Sequence, residues 1–368
     1  MPTTRAARAA AARAARCLTE ALPVDALGLV LYQLPLAHDI AAVAPTCHVL
    51  DDAAKLALKL RPFSGEVVTL GGHAYAVMAV AAAPDGRVIT GSDDGGLNVW
   101  RDGVCEHSIS QGSGELRGVA GLGGARFVSV SLNRTVEWTL DGNKVYTRPF
   151  MMPGYIAGVA TLPDGLHFVV AHNDHVGGKG EVRLYHVDGT LVHTFTLGRG
   201  TVDAVAVMPD GQHIISGGCL HMQLNVWSVA DKSSVRTYRG GPQPLKAVAS
   251  MPDGKRIISG GIDRTVRVHL LESFLPEKSF KLHDGYISAL VALPDNQHAL
   301  SGASDNTVKL FNVNDGTVLR TFKHHTTNMY GFGEVCCLAL LPDGLRFVSG
   351  SRDRTARVVY HGLAPIKA

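Results

Sequence analysis

The turn tripeptide Pro-Asp-Gly, or a close variant, recurs along most of this chain. It reads Pro84-Asp85-Gly86, Pro163-Asp164-Gly165, Pro209-Asp210-Gly211, Pro252-Asp253-Gly254, Pro294-Asp295-Asn296 and Pro342-Asp343-Gly344. A degenerate copy lies at Gly123-Gly124, where Gly118-Val119-Ala120 aligns with Gly158-Val159-Ala160. The seven copies are separated by 39, 40, 46, 43, 42 and 48 residues. A period of this size means that one supersecondary unit is stacked on copies of itself. Residues that return in every copy then build the frame, and function belongs where the copies differ.

Each copy follows one grammar. A β-branched stretch leads into the turn, as in Val77 to Val80 and Val202 to Val207, and this is the pattern of half-buried strands. Proline presets φ, aspartate bonds nearby backbone and glycine accepts positive φ, which closes a tight turn. A second strand ends in a small-residue step such as Thr90-Gly91-Ser92, Ser259-Gly260-Gly261 or Ser349-Gly350-Ser351. Four residues beyond that Thr or Ser stands Asp94, Asn133, Asp263, Asp305 or Asp353, and a third strand ends near Trp100, Trp227 or Phe311. This grammar resembles the WD-repeat family over residues 66–361. The resemblance implies a mainly β fold, a seven-bladed β-propeller with four strands per blade around a central channel. The last copy runs out after Ala356 to Tyr360, while an orphan strand, Glu66 to Leu70, precedes the first copy. The ring is therefore expected to close with the N-terminal strand as the outer strand of blade seven. Blade four lacks the turn aspartate and the Gly-His step, with Cys219 to Gln223 in the gap, and is expected to be the most irregular.

His73, Thr90, Asp94 and Trp100 in blade one, and His283, Ser301 and Asp305 in blade six, have the residue types of a nucleophile, base and orienting acid. An active site is needed once, whereas this set recurs. It reads as a structural network that satisfies polar groups inside the blades. No phosphate-cradling glycine loop, His-Glu-x-x-His or Gly-x-Ser-x-Gly is present, so neither an enzyme nor a cofactor is expected. The six cysteines lack metal-ligand spacing, and the His324-His325 pair has no third ligand nearby. No metal site is expected, and the thiols read as reduced ones of a cytoplasmic or nuclear protein. No apolar run reaches 18 residues, which argues against a spanning helix.

The first 65 residues differ: they are alanine-rich and lack the turn grammar. Residues 1–19 form a basic Ala/Arg tail with Arg5, Arg8, Arg13 and Arg16 and only one acid, Glu20, just beyond it. A plain disordered tail, a nuclear-import or nucleic-acid patch and an organelle transit peptide all fit, the first best. Residues 20–61 carry helical signals. Pro23 stands in a first turn, Leu27, Val30, Leu31 and Leu34 share one face, and Pro35 ends the run. Ile40 and Val43 mark a second short helix, and Asp51 to Leu60 a third. Three helices of this size bury little core alone and call for a partner surface.

This stretch resembles an F-box, on Leu22-Pro23, the ladder to Leu34, Asp39-Ile40 and Val43-Ala44. It departs from the pattern at Leu50, where many F-boxes have tryptophan, and at Pro45. An F-box-like three-helix domain ahead of a WD-repeat propeller is similar to the substrate receptors of cullin-RING ubiquitin ligases. The resemblance implies docking on the Skp adaptor through Leu22, Pro23, Leu27, Val30, Leu31, Leu34, Ile40 and Val43, with a protein substrate on the propeller. The alternative is a WD-repeat scaffold with no ligase role. By comparison with the family, one face of the ring carries the second residue of each inner strand: Met78, Arg117, Ala157, Asp203, Lys246, Ser288 and Cys336. Arg352, just before Asp353, and Arg117 match positions from which phosphodegron-reading propellers present arginine, and guanidinium forks suit phosphate. An acidic or phosphorylated peptide is thus expected at Arg117 and Arg352, assisted by Lys246, with Tyr75, Tyr155 and Tyr286 as contact aromatics. No nucleic acid or membrane partner is expected.

Overall fold

The computed structural model describes residues 67–363, apart from 113, 133, 150–153, 175–177, 219–221, 274–275 and 328–332. The basic tail, the F-box-like segment and all of its adaptor-facing residues lie outside the described residues.

Seven four-stranded antiparallel sheets follow one another, and each is a blade. Blade one shows the plan: an inner strand Val77–Ala82, then Val88–Ser92, Gly96–Arg101 and an outer strand Val104–Ser110, hydrogen-bonded in that order. Blade seven is assembled from both ends of the domain. Its strands Val335–Leu340, Arg346–Ser351 and Ala356–Tyr360 are completed by Val68–Leu70. Val68 pairs with Val358, Thr69 with Arg357 and Leu70 with Ala356. The expected closure is therefore present, with the orphan strand beginning at Val68, two residues later than expected.

The Pro-Asp-Gly turns do more than reverse the chain. Asp210 accepts from the amides of Gln212 at 2.8 Å and His213 at 3.2 Å, and its other oxygen holds His213 Nδ1 at 2.7 Å. Asp164 with His167 and Asp295 with His298 repeat this, while Arg256 and Arg346 replace the histidine beside Asp253 and Asp343. A histidine or arginine three residues after the turn acid thus recurs in these five turns, a regularity the sequence reading overlooked, while in blade one Arg87 pairs with Asp85 from two residues on.

The core is divided among the blade interfaces. Leu70, Val348, Ala356 and Val358 of blade seven pack on Val77, Val80 and Trp100 of blade one. Ala79, Ile89 and Val99 of blade one meet Phe127 and Trp138 of blade two. Blades two and three share Val128, Val130, Ile156 and Phe168, and the remaining four interfaces follow the same rule. The small-residue step explains how neighbouring sheets come this close. A Cβ on Gly302 would lie 2.7 Å from Val335 Cγ1, and one on Gly260 2.8 Å from Ile287 Cγ2. Glycine at that step lets the middle strand of one blade rest on the inner strand of the next.

Blade four was expected to be the least regular. Among the described residues, blade three departs further. Val170 occupies the place of the recurring Ser or Thr, Tyr185 that of the tryptophan, and the outer strand pair slips register twice. Blade four keeps the Ser216–Trp227 bond at 2.9 Å.

Candidate interaction face of the propeller

Every inner strand contains one irregularity at the same place. The register slips between Val77 and Ala79, Leu116 and Gly118, Ile156 and Gly158, and Val202 and Ala204. It slips again between Leu245 and Ala247, Ile287 and Ala289, and Val335 and Cys337. The skipped residues are Met78, Arg117, Ala157, Asp203, Lys246, Ser288 and Cys336. A β-bulge leaves its extra residue without a ladder partner and re-aims its side chain. Here the consequence is collective, because all seven side chains line one cavity of about 570 Å³ at the channel mouth. Leu132, Tyr155, Ile156, Tyr286, Glu334 and Arg352 complete its wall.

Five of the six residues singled out for partner binding therefore meet: Arg117, Lys246, Arg352, Tyr155 and Tyr286. Tyr75 does not line the cavity and is 59% exposed. The cations are not bare. Arg117 forms an ion pair with Glu115, Arg352 Nε lies 2.9 Å from Glu334 Oε2, and Lys246 Nζ donates to Asp203 Oδ2 at 3.0 Å. Tyr286 donates to the other Glu334 oxygen at 2.5 Å. Burial first, and then this Glu334 contact, raise the phenol well above its ordinary value. Burial and the Glu115 charge likewise raise the Asp93 carboxyl, against Arg117 and Arg352, which pull it down. Cys336 is pushed up to about 12, mainly by burial and then by Glu334, so it stays a neutral thiol. Glu115 and Glu334 were missed from the sequence. Each stands two residues before a bulged position or immediately before an inner strand, and nothing in the repeat flags either.

The recurring His/Ser/Asp set lies inside the blades. In blade six His283 bridges Ser301 Oγ at 2.7 Å and Asp305 Oδ2 at 2.9 Å. In blade one His73 Nε2 is 2.6 Å from Thr90 Oγ1, which also accepts from Trp100 Nε1 at 2.8 Å, while Asp94 caps the turn through the Gly96 amide. Blade two reaches the same end with Gln111, Ser129 and Trp138. In blade five His269 stands where other blades have tryptophan and bonds Ser259 at 2.9 Å. The Thr90, Ser301 and Ser349 residues are 0% exposed. A hydroxyl sealed in this way ties strand to strand and cannot meet a substrate.

His324 and His325, which the sequence shows only as a pair lacking a third ligand, belong to the buried network. His325 is the blade-seven member of the set, 2.8 Å from Ser349 Oγ and 2.8 Å from Asp353 Oδ2. His324 Nε2 lies 2.9 Å from the same hydroxyl. Val359 holds the tryptophan position of blade seven and has no side-chain N–H to offer, so the second histidine fills that role.

Five segments match the family WD domain, G-beta repeat: residues 64–101, 189–228, 232–269, 274–312 and 316–359, more than half of the chain. The chain belongs to this family. Each matched segment of the WD domain protein takes in the outer strand of one blade and the first three strands of the next. Blades two and three, which lost the turn tripeptide or the buried hydroxyl, contribute least, and no matched segment covers 20–61. No curated protein matches the chain. A WD propeller of this kind is a protein-interaction scaffold.

The buried histidines make this scaffold acid-sensitive. Burial lowers His73 and His361, drops His269 to about 4, and, with the neighbouring His325 charge, drops His324 to about 3. An unfolded chain takes up these protons near 6.5, whereas the folded one refuses them. Their contribution is therefore complete above pH 6.5 and lost as pH falls towards 4. Asp353, which burial would raise but the His325 bond holds at about 2, extends the loss below pH 4. The unfolding free energy is expected to fall by roughly 2–4 kcal/mol between pH 7 and pH 4.5. Urea titrations at the two values check this, and an unchanged midpoint would contradict it.

Proposed function

We propose that this WD domain protein receives a segment of a partner protein at the mouth of its channel. The supporting observation is the convergence on one cavity of seven bulged side chains, Arg117 and Lys246 among them, with Arg352, Tyr155 and Tyr286. Mixed charge beside aromatic surface is the composition of protein-binding hot spots. The finer reading is a substrate receptor of a cullin-RING ubiquitin ligase, whose F-box-like segment 20–61 docks the Skp adaptor. Its substrate carries an acidic or phosphorylated stretch for Arg117, Arg352 and Lys246. Such a group exchanges with Glu115, Glu334 or Asp203 rather than meeting a vacant cation. This favours phosphate, with its greater charge and third acceptor oxygen, over a second carboxylate. A scaffold without a ligase role is the second reading, favoured by a family match that spans propeller strands alone.

One set of pull-downs with the full chain separates these readings. Co-purification with the Skp adaptor is expected, and is lost when Leu22, Leu31 and Leu34 are changed to serine. Capture from a phosphopeptide library is lost in the Arg117→Glu/Arg352→Glu variant. Absence of the adaptor with retained phosphopeptide capture leaves the scaffold reading; capture that survives charge reversal removes the mouth as the site.

A further inference from the structure

The outer strand of each blade has a hydrogen-bonded neighbour on one side only. Exposed edges of this kind invite a foreign strand unless they are short or carry charge or proline. Six of the seven are guarded. Val68–Leu70 has three residues and Val318–Phe322 has five, including Arg320. Val104–Ser110 carries Glu106, and Ser233–Arg239 carries Arg236 and Arg239. Lys144–Pro149 and Pro276–Lys281 each contain a proline and at least two charged residues.

Blade three is the exception. Its outer strand Leu191–Arg199 is nine residues long and has no charge or proline before its last residue. It pairs regularly from His193 to Thr196 against Leu184 to Glu181. Leu191 is 45% exposed, and Thr196 is exposed. One strand further in, Arg183 and Glu181 neutralise each other at 2.7 Å behind the regularly paired part of the edge, and Lys179 stands opposite Arg199 at its far end.

We propose that this edge pairs with the same edge of a second copy of the chain. The two strands run antiparallel about a two-fold axis near Thr194 and merge two blades into one eight-stranded sheet. Charge selects this occupant. A two-fold axis sets an edge against itself, so Ser233–Arg239 or Lys144–Pro149 would bring like charges together, which destabilises a strand pair. About such an axis Thr194 meets its own copy, His193 meets Phe195, Val192 meets Thr196 and Leu191 meets Leu197, so no acid, lysine or arginine faces its like.

The test is the mass of the full chain, measured by analytical ultracentrifugation from low to high micromolar concentration. A monomer–dimer equilibrium is expected for the natural sequence. Thr194→Lys and Thr194→Glu are each expected to raise the dissociation constant about tenfold or more, and mixing the two variants restores association. Ser108→Lys, on the guarded edge of blade one, leaves it unchanged. Thr196→Lys repeats the measurement should a Thr194 variant lose its far-UV circular dichroism. A chain that stays monomeric throughout overturns the proposal. So does a dimer indifferent to Thr194 and Thr196, or one weakened equally by Ser108→Lys.

Discussion

Changing Leu70 to aspartate is expected to open the ring. The side chain is 1% exposed and sits among Val348, Ala356, Val358 and Trp100. Its strand, Val68–Leu70, is the only segment of blade seven drawn from the N-terminal side. The substitution removes apolar burial worth about 2–3 kcal/mol. It also forces a carboxylate in among the apolar side chains of this cluster. Together these place the loss at roughly 4–5 kcal/mol, near the upper limit for a point substitution. Guanidinium titration measures the shift. Limited proteolysis locates it, with early cleavage expected near both ends of the domain. A variant that unfolds at the natural midpoint would show that the seal is not made by this strand.

The second large effect is expected from His325→Ala. This imidazole is fully buried and joins Ser349 Oγ to Asp353 Oδ2. Asp353 keeps the amides of Thr326 and Thr355 and the Thr355 hydroxyl. The variant therefore leaves Oδ2 of a buried acid with only the longer Thr326 amide hydrogen bond, and opens a cavity beside it. A cost of about 3 kcal/mol follows from the lost charge-assisted bond and the void. Ser301→Ala in blade six loses a hydroxyl without stranding a charge and is the natural comparison, with a smaller loss. The order of the two midpoints in urea decides whether the acid or the hydroxyl anchors the set. A His325→Ala midpoint above that of Ser301→Ala would reverse the assignment.

Most of the frame was legible because its causes are local. Pro-Asp-Gly specifies a turn from within itself, and a strand's alternation is visible in six residues, so blade number, order and closure follow from spacing. The buried set was legible only where its members keep fixed separations. Blade six does so with His283, Ser301 and Asp305. Blade seven places its histidine ahead of an insertion and doubles it, and the sequence concealed that from a reader counting from the turn. Residues that share the mouth were found by family position, but the bulges that aim them there carry no residue signature: Met, Arg, Ala, Asp, Lys, Ser and Cys all serve. The ion pairs were invisible for a deeper reason. Lys246 meets Asp203 through the joining of neighbouring blades, and Arg352 meets Glu334 across the inner hairpin of blade seven, pairings that linear separation does not encode.

Each repeat of the family straddles two sheets, and the last sheet is made from the earliest and latest strands of the domain. A nascent chain can stack its first six sheets as they emerge, yet the seventh waits until Tyr360 has been synthesised. Until then Val68–Leu70 is an unattached ribbon and the flank of the first sheet lies open to solvent. Closure is the most non-local step available to this topology, where loop entropy is highest. Premature termination anywhere before that point leaves an arc with two sticky flanks instead of a smaller toroid.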